Sequence, residues 1–162
     1  MGQHSLVVAA RGWAVAMVVA WAALAPASAQ AQTGQQFYAV TPCRVVDTRA
    51  ASLKDPAVVK RGTFANDETR VYTFSGSTDC TGLPSGATAW SVNIQYRPTS
   101  VAAYLTAYPD GVSRPVVAAL VGYPDTWTVN NAIVPAGSGG AIDIYCQYAG
   151  NVVIDVNGYF AP

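Results

Sequence analysis

From residue 37 onward, Gly or Pro interrupts this 162-residue chain roughly every ten positions, and Val, Thr and Tyr fill much of the space between. Helix signals are nearly absent there. That spacing belongs to short strands, and it directs the chain to an all-β antiparallel β-sandwich of about 8–9 strands, jelly-roll-like or immunoglobulin-like.

The clearest strand covers residues 90–96. Trp90, Val92, Ile94 and Tyr96 alternate with Ser91, Asn93 and Gln95, so one face is apolar and the other polar. Further strands are expected at 37–40, 44–47, 70–74, 103–108, 116–122, 128–134, 141–148 and 152–158. Residues 116–121 are continuously apolar, which predicts a central strand covered on both faces, or one at a subunit contact. Residues 50–67 form the longest irregular stretch. It contains Lys54, Asp55, Pro56, Lys60 and Arg61 and reads as a surface excursion rather than a site.

The N-terminus has a different grammar. Arg11 precedes an apolar run over 13–25, and Ala27-Ser28-Ala29 follows, small residues of the kind a signal peptidase accepts. The run is shorter than the roughly 20 residues needed to span a bilayer. Residues 1–29 are therefore expected to be a cleaved export signal, 30–36 a short polar linker, and 37–162 one domain. The protein would be secreted, whether extracellular or periplasmic, with no membrane contact after cleavage. His4 and Arg11 would leave with the signal. Eight basic side chains then face nine acidic ones, a formal charge of −1. So balanced a chain has no electrostatic footprint for nucleic acid.

Three cysteines remain, Cys43, Cys80 and Cys146. An odd count leaves at least one unpaired within the monomer, and spacing alone permits three pairings. Cys43 and Cys80 stand in turn-like contexts, whereas Cys146 continues the apolar alternation of Ile142 and Ile144. The preferred reading is a Cys43–Cys80 disulfide with Cys146 a buried free thiol. For the last two strands, a three-residue turn Ala149-Gly150-Asn151 would oppose Cys146 to Ile154 and Ile144 to Val156. That hairpin gives one uniform apolar face, with Gly or Asn supplying a left-handed residue. Its other face would gather Asp143, Tyr145, Asp155 and Asn157.

Four blocks in order resemble a β-domain found in many exported bacterial proteins. They are Thr41-Pro42-Cys43-Arg44-Val45-Val46-Asp47-Thr48-Arg49; Cys80-Thr81-Gly82-Leu83-Pro84-Ser85-Gly86-Ala87-Thr88-Ala89 leading to Ser91-Val92-Asn93; Asn131-Ala132-Ile133-Val134-Pro135-Ala136-Gly137; and Val153-Ile154-Asp155-Val156-Asn157-Gly158-Tyr159-Phe160. The resemblance implies a domain that occurs alone or attached to larger secreted proteins. It carries no activity with it. It places cysteines at positions 43 and 80, in agreement with the preferred pairing. At Cys146 the pattern has an apolar residue, and this chain departs from it.

Chemistry is sparse. Ser and Cys nucleophile mechanisms need a general base, most often His, and the mature chain has none. Zinc sites using His, or four cysteines, fail by count. Arg44, Asp47 and Arg49 form the densest charged motif, read as a structural ion pair beside the disulfide rather than an anion site. Asp143, Asp155 and Asn157 are weak candidates for a metal, too few for the six to eight oxygens Ca²⁺ takes. No cofactor is implied. Tyr104, Tyr108, Trp127 and Tyr145 are candidates for a ligand surface, since aromatic rings stack on sugars as readily as they fill cores.

The function expected from these residues is a secreted, non-catalytic module for extracellular surface association or assembly. One alternative is a carbohydrate-binding module using exposed Tyr and Trp. Another is an Asp-based glycan hydrolase, because nine carboxylates cannot be dismissed by count. The corresponding partners are a cell-surface polysaccharide or other copies of the chain.

Overall fold

The computed structural model describes residues 34–49 and 62–162. The expected signal and residues 30–33 of the linker lie outside the described residues, as do positions 50–61 of the long irregular stretch.

Eight strands follow in chain order: β1 (Gln36–Asp47), β2 (Glu68–Thr73), β3 (Ala89–Pro98), β4 (Ala103–Pro109), β5 (Leu120–Gly122), β6 (Thr128–Pro135), β7 (Ala141–Cys146) and β8 (Gly150–Ala161). They build two four-stranded antiparallel sheets. Sheet I has the order β1-β8-β3-β6 and sheet II the order β2-β7-β4-β5. The pairs 1–8, 2–7, 3–6 and 4–5 nest like one long hairpin rolled on itself. This is the jelly-roll arrangement, not the immunoglobulin one.

The core forms where the apolar faces meet. Trp90, Val92, Ile94 and Tyr96 of β3 are fully buried, as their alternation demands. Val152, Ile154 and Val156 of β8 join them from the same sheet, and Leu105, Ile142, Ile144 and Cys146 face them from sheet II. The polar handles of Trp90 and Tyr96 are satisfied. Trp90 Nε1 donates to the Gly140 carbonyl at 2.7 Å, and Tyr96 Oη donates to the Tyr148 carbonyl. Phe74 packs edge-on to Trp90 at 5.3 Å between centroids.

The Cys43–Cys80 disulfide is present, with Cα atoms 5.7 Å apart, and Cys146 is a free, buried cysteine. The bridge ties β1 to the loop between β2 and β3. Phe64 closes a short bridge with Gly150 and is buried against the core. Arg70 holds that corner: it lies over the Phe64 ring at 4.0 Å and donates to the carbonyls of Gly62 and Thr63.

Three expectations are corrected. First, β7 and β8 are not a hairpin. They belong to opposite sheets, and Cys146 has Glu68 and Leu105 as its cross-strand neighbours, while Ile154 pairs with Val46 and Ile94. A rule that opposed residues share an apolar face is satisfied equally well by strands facing each other across the sandwich interior. Gly150 therefore does not supply a left-handed turn; its φ is not positive. Glycine is required there because a Cβ would stand 2.5 Å from Tyr96 Cε2 and 2.8 Å from the Arg97 carbonyl oxygen.

Second, residues 116–121 are not a central strand. Only β5 pairs, at the edge of sheet II, and Val116 and Val117 are exposed. Third, residues 37–40 and 44–47 belong to one strand. Its pairing with β8 shifts between Ala39 and Cys43, where Pro42 has no N–H to donate.

Candidate functional site

The four sequence blocks converge. They contribute β1, β3, β6 and β8, which are the four strands of sheet I. The outward positions of those strands form an open face that is polar along β3 and mixed along β6, where Val129 and Ile133 are exposed on either side of Asn131. β3 presents Ser91, Asn93, Gln95 and Arg97, each partly exposed, because its even-numbered residues are committed to the core. The polar step expected at 91, 93 and 95 continues to Arg97, to which the same alternation points.

Asp47 anchors this face at the β1 end. It is buried, yet three groups hold it: Arg49 Nε at 2.9 Å, Arg49 Nη2 at 2.7 Å and the Arg49 backbone N–H at 3.1 Å. Arg44 Nη1 adds a longer contact of 3.4 Å. These donors, Arg49 first, hold the Asp47 carboxyl below the ordinary carboxylate range against the opposing effect of burial. Arg44 then bridges to Asp155 on β8, with Nε at 2.8 Å and Nη2 at 3.2 Å. Bonding to Asp155 raises the Arg44 pKa and keeps it cationic. The expected ion pair is thus the start of a chain, Arg49–Asp47–Arg44–Asp155, and Gln95 touches its end at 3.5 Å.

The network's other flank is aromatic. Trp127, in the loop before β6, takes the Arg49 guanidinium over its ring at 4.7 Å and that of Arg97 at 5.3 Å. Beside them, Asn93 Nδ2 donates to Asn131 Oδ1 at 2.9 Å. Asn151, the cross-strand neighbour of Arg97, accepts from the Thr48 hydroxyl at 3.2 Å.

The remaining candidates lie elsewhere. Tyr104, Tyr108 and Tyr145 sit on the outer face of sheet II, so they form no single platform with Trp127. Tyr108 and Tyr145 are buried. Residues 110–119 run across that face: Thr106 donates to the Val117 carbonyl at 2.7 Å, and Arg114 lies over the Tyr145 ring at 3.9 Å. Tyr145 also donates to Asp67, and that bond to a carboxylate raises the tyrosine's pKa. A cavity of 240 Å³ remains between Tyr104, Arg114 and Val116–Ala118.

The weak metal candidates are likewise divided. Asp143 is on β7 of sheet II, whereas Asp155 and Asn157 are on β8 of sheet I. Among the described residues no three His, Cys, Asp or Glu side chains gather as a metal site, and no helix is long and apolar enough to cross a membrane. No protein-family model matches this chain, and no curated protein is similar to it.

Proposed function

We propose that the chain is an exported, non-catalytic jelly-roll module that attaches to extracellular surface polysaccharide through the outer face of sheet I. We also group it with the exported bacterial β-domains that its four blocks resemble. Export is supported by the signal-like pattern of residues 1–29 and by a disulfide, which persists in oxidising compartments. The observation that carries the binding role is the open face itself. Its amides and the guanidiniums of Arg44 and Arg97 stand on strands, and among the described residues Arg97 makes no ion pair.

Catalysis by a carboxylate pair fits this geometry poorly. Asp47 and Asp155 are both tied to Arg44, and a glycosidase acid needs a raised pKa, the opposite of the shift at Asp47. Binding by buried Tyr108 and Tyr145 fits no better. Screening the exported protein on immobilised glycans and on intact cells tests the proposal. Saturable binding to a polysaccharide, weakened by Asn93→Ala/Asn131→Ala, supports it; failure on every glycan and cell surface sinks it. Turnover of any glycan, abolished by Asp47→Asn or Asp155→Asn, would make the protein an enzyme instead.

A second reading, association between copies, draws on the exposed Val112, Val116, Val117, Val121 and Tyr123 around the β5 edge. A concentration-independent monomer mass in sedimentation equilibrium would remove it.

A further inference from the structure

Within the proposed polysaccharide-binding face, and resting on that reading, we infer that Arg97, Arg49 and Trp127 form a subsite for an acidic sugar, one bearing a carboxylate or sulfate group. The sheet I face carries three guanidiniums, those of Arg44, Arg49 and Arg97, against the carboxylates of Asp47 and Asp155. Those two carboxylates are engaged by Arg44 and Arg49. Arg97 is left over. Its guanidinium has a ring contact to Trp127 and, among the described residues, neither an ion pair nor a side-chain hydrogen bond. Asp125, on the turn leading into Trp127, makes no ion pair with it.

The ring determines what such a site can take. A sugar stacks on a bare aromatic face, but Trp127 already has guanidiniums over it at 4.7 and 5.3 Å. Stacking therefore goes to the arginines. In return the indole restrains two long side chains. Arg49 spends Nε and one Nη2 proton on Asp47, and among the described residues its Nη1 group has no side-chain partner. Two guanidinium edges beside one ring suit a planar or tetrahedral oxyanion, which Arg binds through paired hydrogen bonds.

The surroundings favour a polysaccharide over a peptide. The site lies on a sheet face, not along an unpaired strand edge where a peptide would add as a strand. Asn93, Asn131 and Asn151 flank it with amides that match ring hydroxyls.

Polygalacturonate and dextran sulfate, each paired with its neutral counterpart, methyl-esterified polygalacturonate and dextran, test the inference by affinity electrophoresis of the full exported protein. Retardation by at least one acidic polymer and by neither neutral counterpart is expected, and it should weaken as salt rises. Which acidic polymer acts identifies the group, carboxylate or sulfate. Arg97→Ala should weaken binding by about tenfold or more, the loss of one charge-assisted contact. Arg97→Lys should restore only part of it, because Lys lacks the fork. Arg97 is partly exposed and carries no ion pair among the described residues, so the melting temperature of Arg97→Ala should match the parent and separate a lost contact from a lost fold. Equal retardation of parent and Arg97→Ala overturns the subsite. Binding to neutral glycans alone also overturns it while leaving the polysaccharide reading intact. Binding to none of the four overturns the subsite, and the polysaccharide reading is then decided by the wider glycan and cell screen.

Discussion

Replacing Asp47 with Asn removes the charge that Arg49 and Arg44 share, and leaves two guanidiniums facing each other beside β1. Loss of a buried, multiply bonded carboxylate of this kind should cost about 1–3 kcal/mol, read as a lower denaturation midpoint. The pH dependence follows from the direction of its shift. A carboxyl held below its ordinary 3.8 contributes its full stabilisation above that value and loses it as pH falls through the lower folded pKa. The parent should therefore lose stability below pH 3.8 more steeply than Asp47→Asn; parallel acid profiles would refute this. Cys146 gives a contrasting test. Burial pushes its thiol pKa up, so a thiol reagent should leave the native protein unmodified and react once denaturant is added. Cys146→Val should change stability by less than about 1.5 kcal/mol, a near volume-conserving swap in a core position.

At the scale of elements, the disulfide and the start of β8 hold the sandwich closed. The bridge joins residues 37 positions apart, and chain-entropy arguments give roughly 3–4 kcal/mol for closing such a loop. Cys43→Ser should lower the unfolding free energy toward that extent, and reductant should produce a similar fall in the parent but none in the variant. Gly150→Ala probes the other end. A methyl there meets the Tyr96 ring and the backbone of Arg97 and Pro98, so about 1–3 kcal/mol of overpacking is expected. Because Gly150 also bonds Phe64 in both directions, the same variant should speed hydrogen exchange at the Phe64 amide.

The whole molecule is a topology of long closures. β1 pairs with β8 across nearly the full domain, and the Arg44–Asp155 bond spans 111 positions. Folding should accordingly fall in the millisecond-to-second range or slower, measured by stopped-flow fluorescence of the buried Trp90. Much was legible before any tertiary contact. Alternation along β3 named its core residues, Gly and Pro marked the breaks, and the contexts of three cysteines selected the pair that bonds. Local sequence determined these because strand pleat and turn chemistry act over two to four residues. What it left open was which strand lies beside which. An apolar face at residues 142, 144 and 146 and another at 152, 154 and 156 are satisfied by a hairpin or by two sheets meeting across a core, since alternation records only in and out. Tertiary structure chose the second. That choice sent Asp143 and Tyr145 to one outer face and Asp155 to the other, and brought Arg44, Asp47, Arg49, Arg97 and Trp127 from distant parts of the chain onto one side of sheet I.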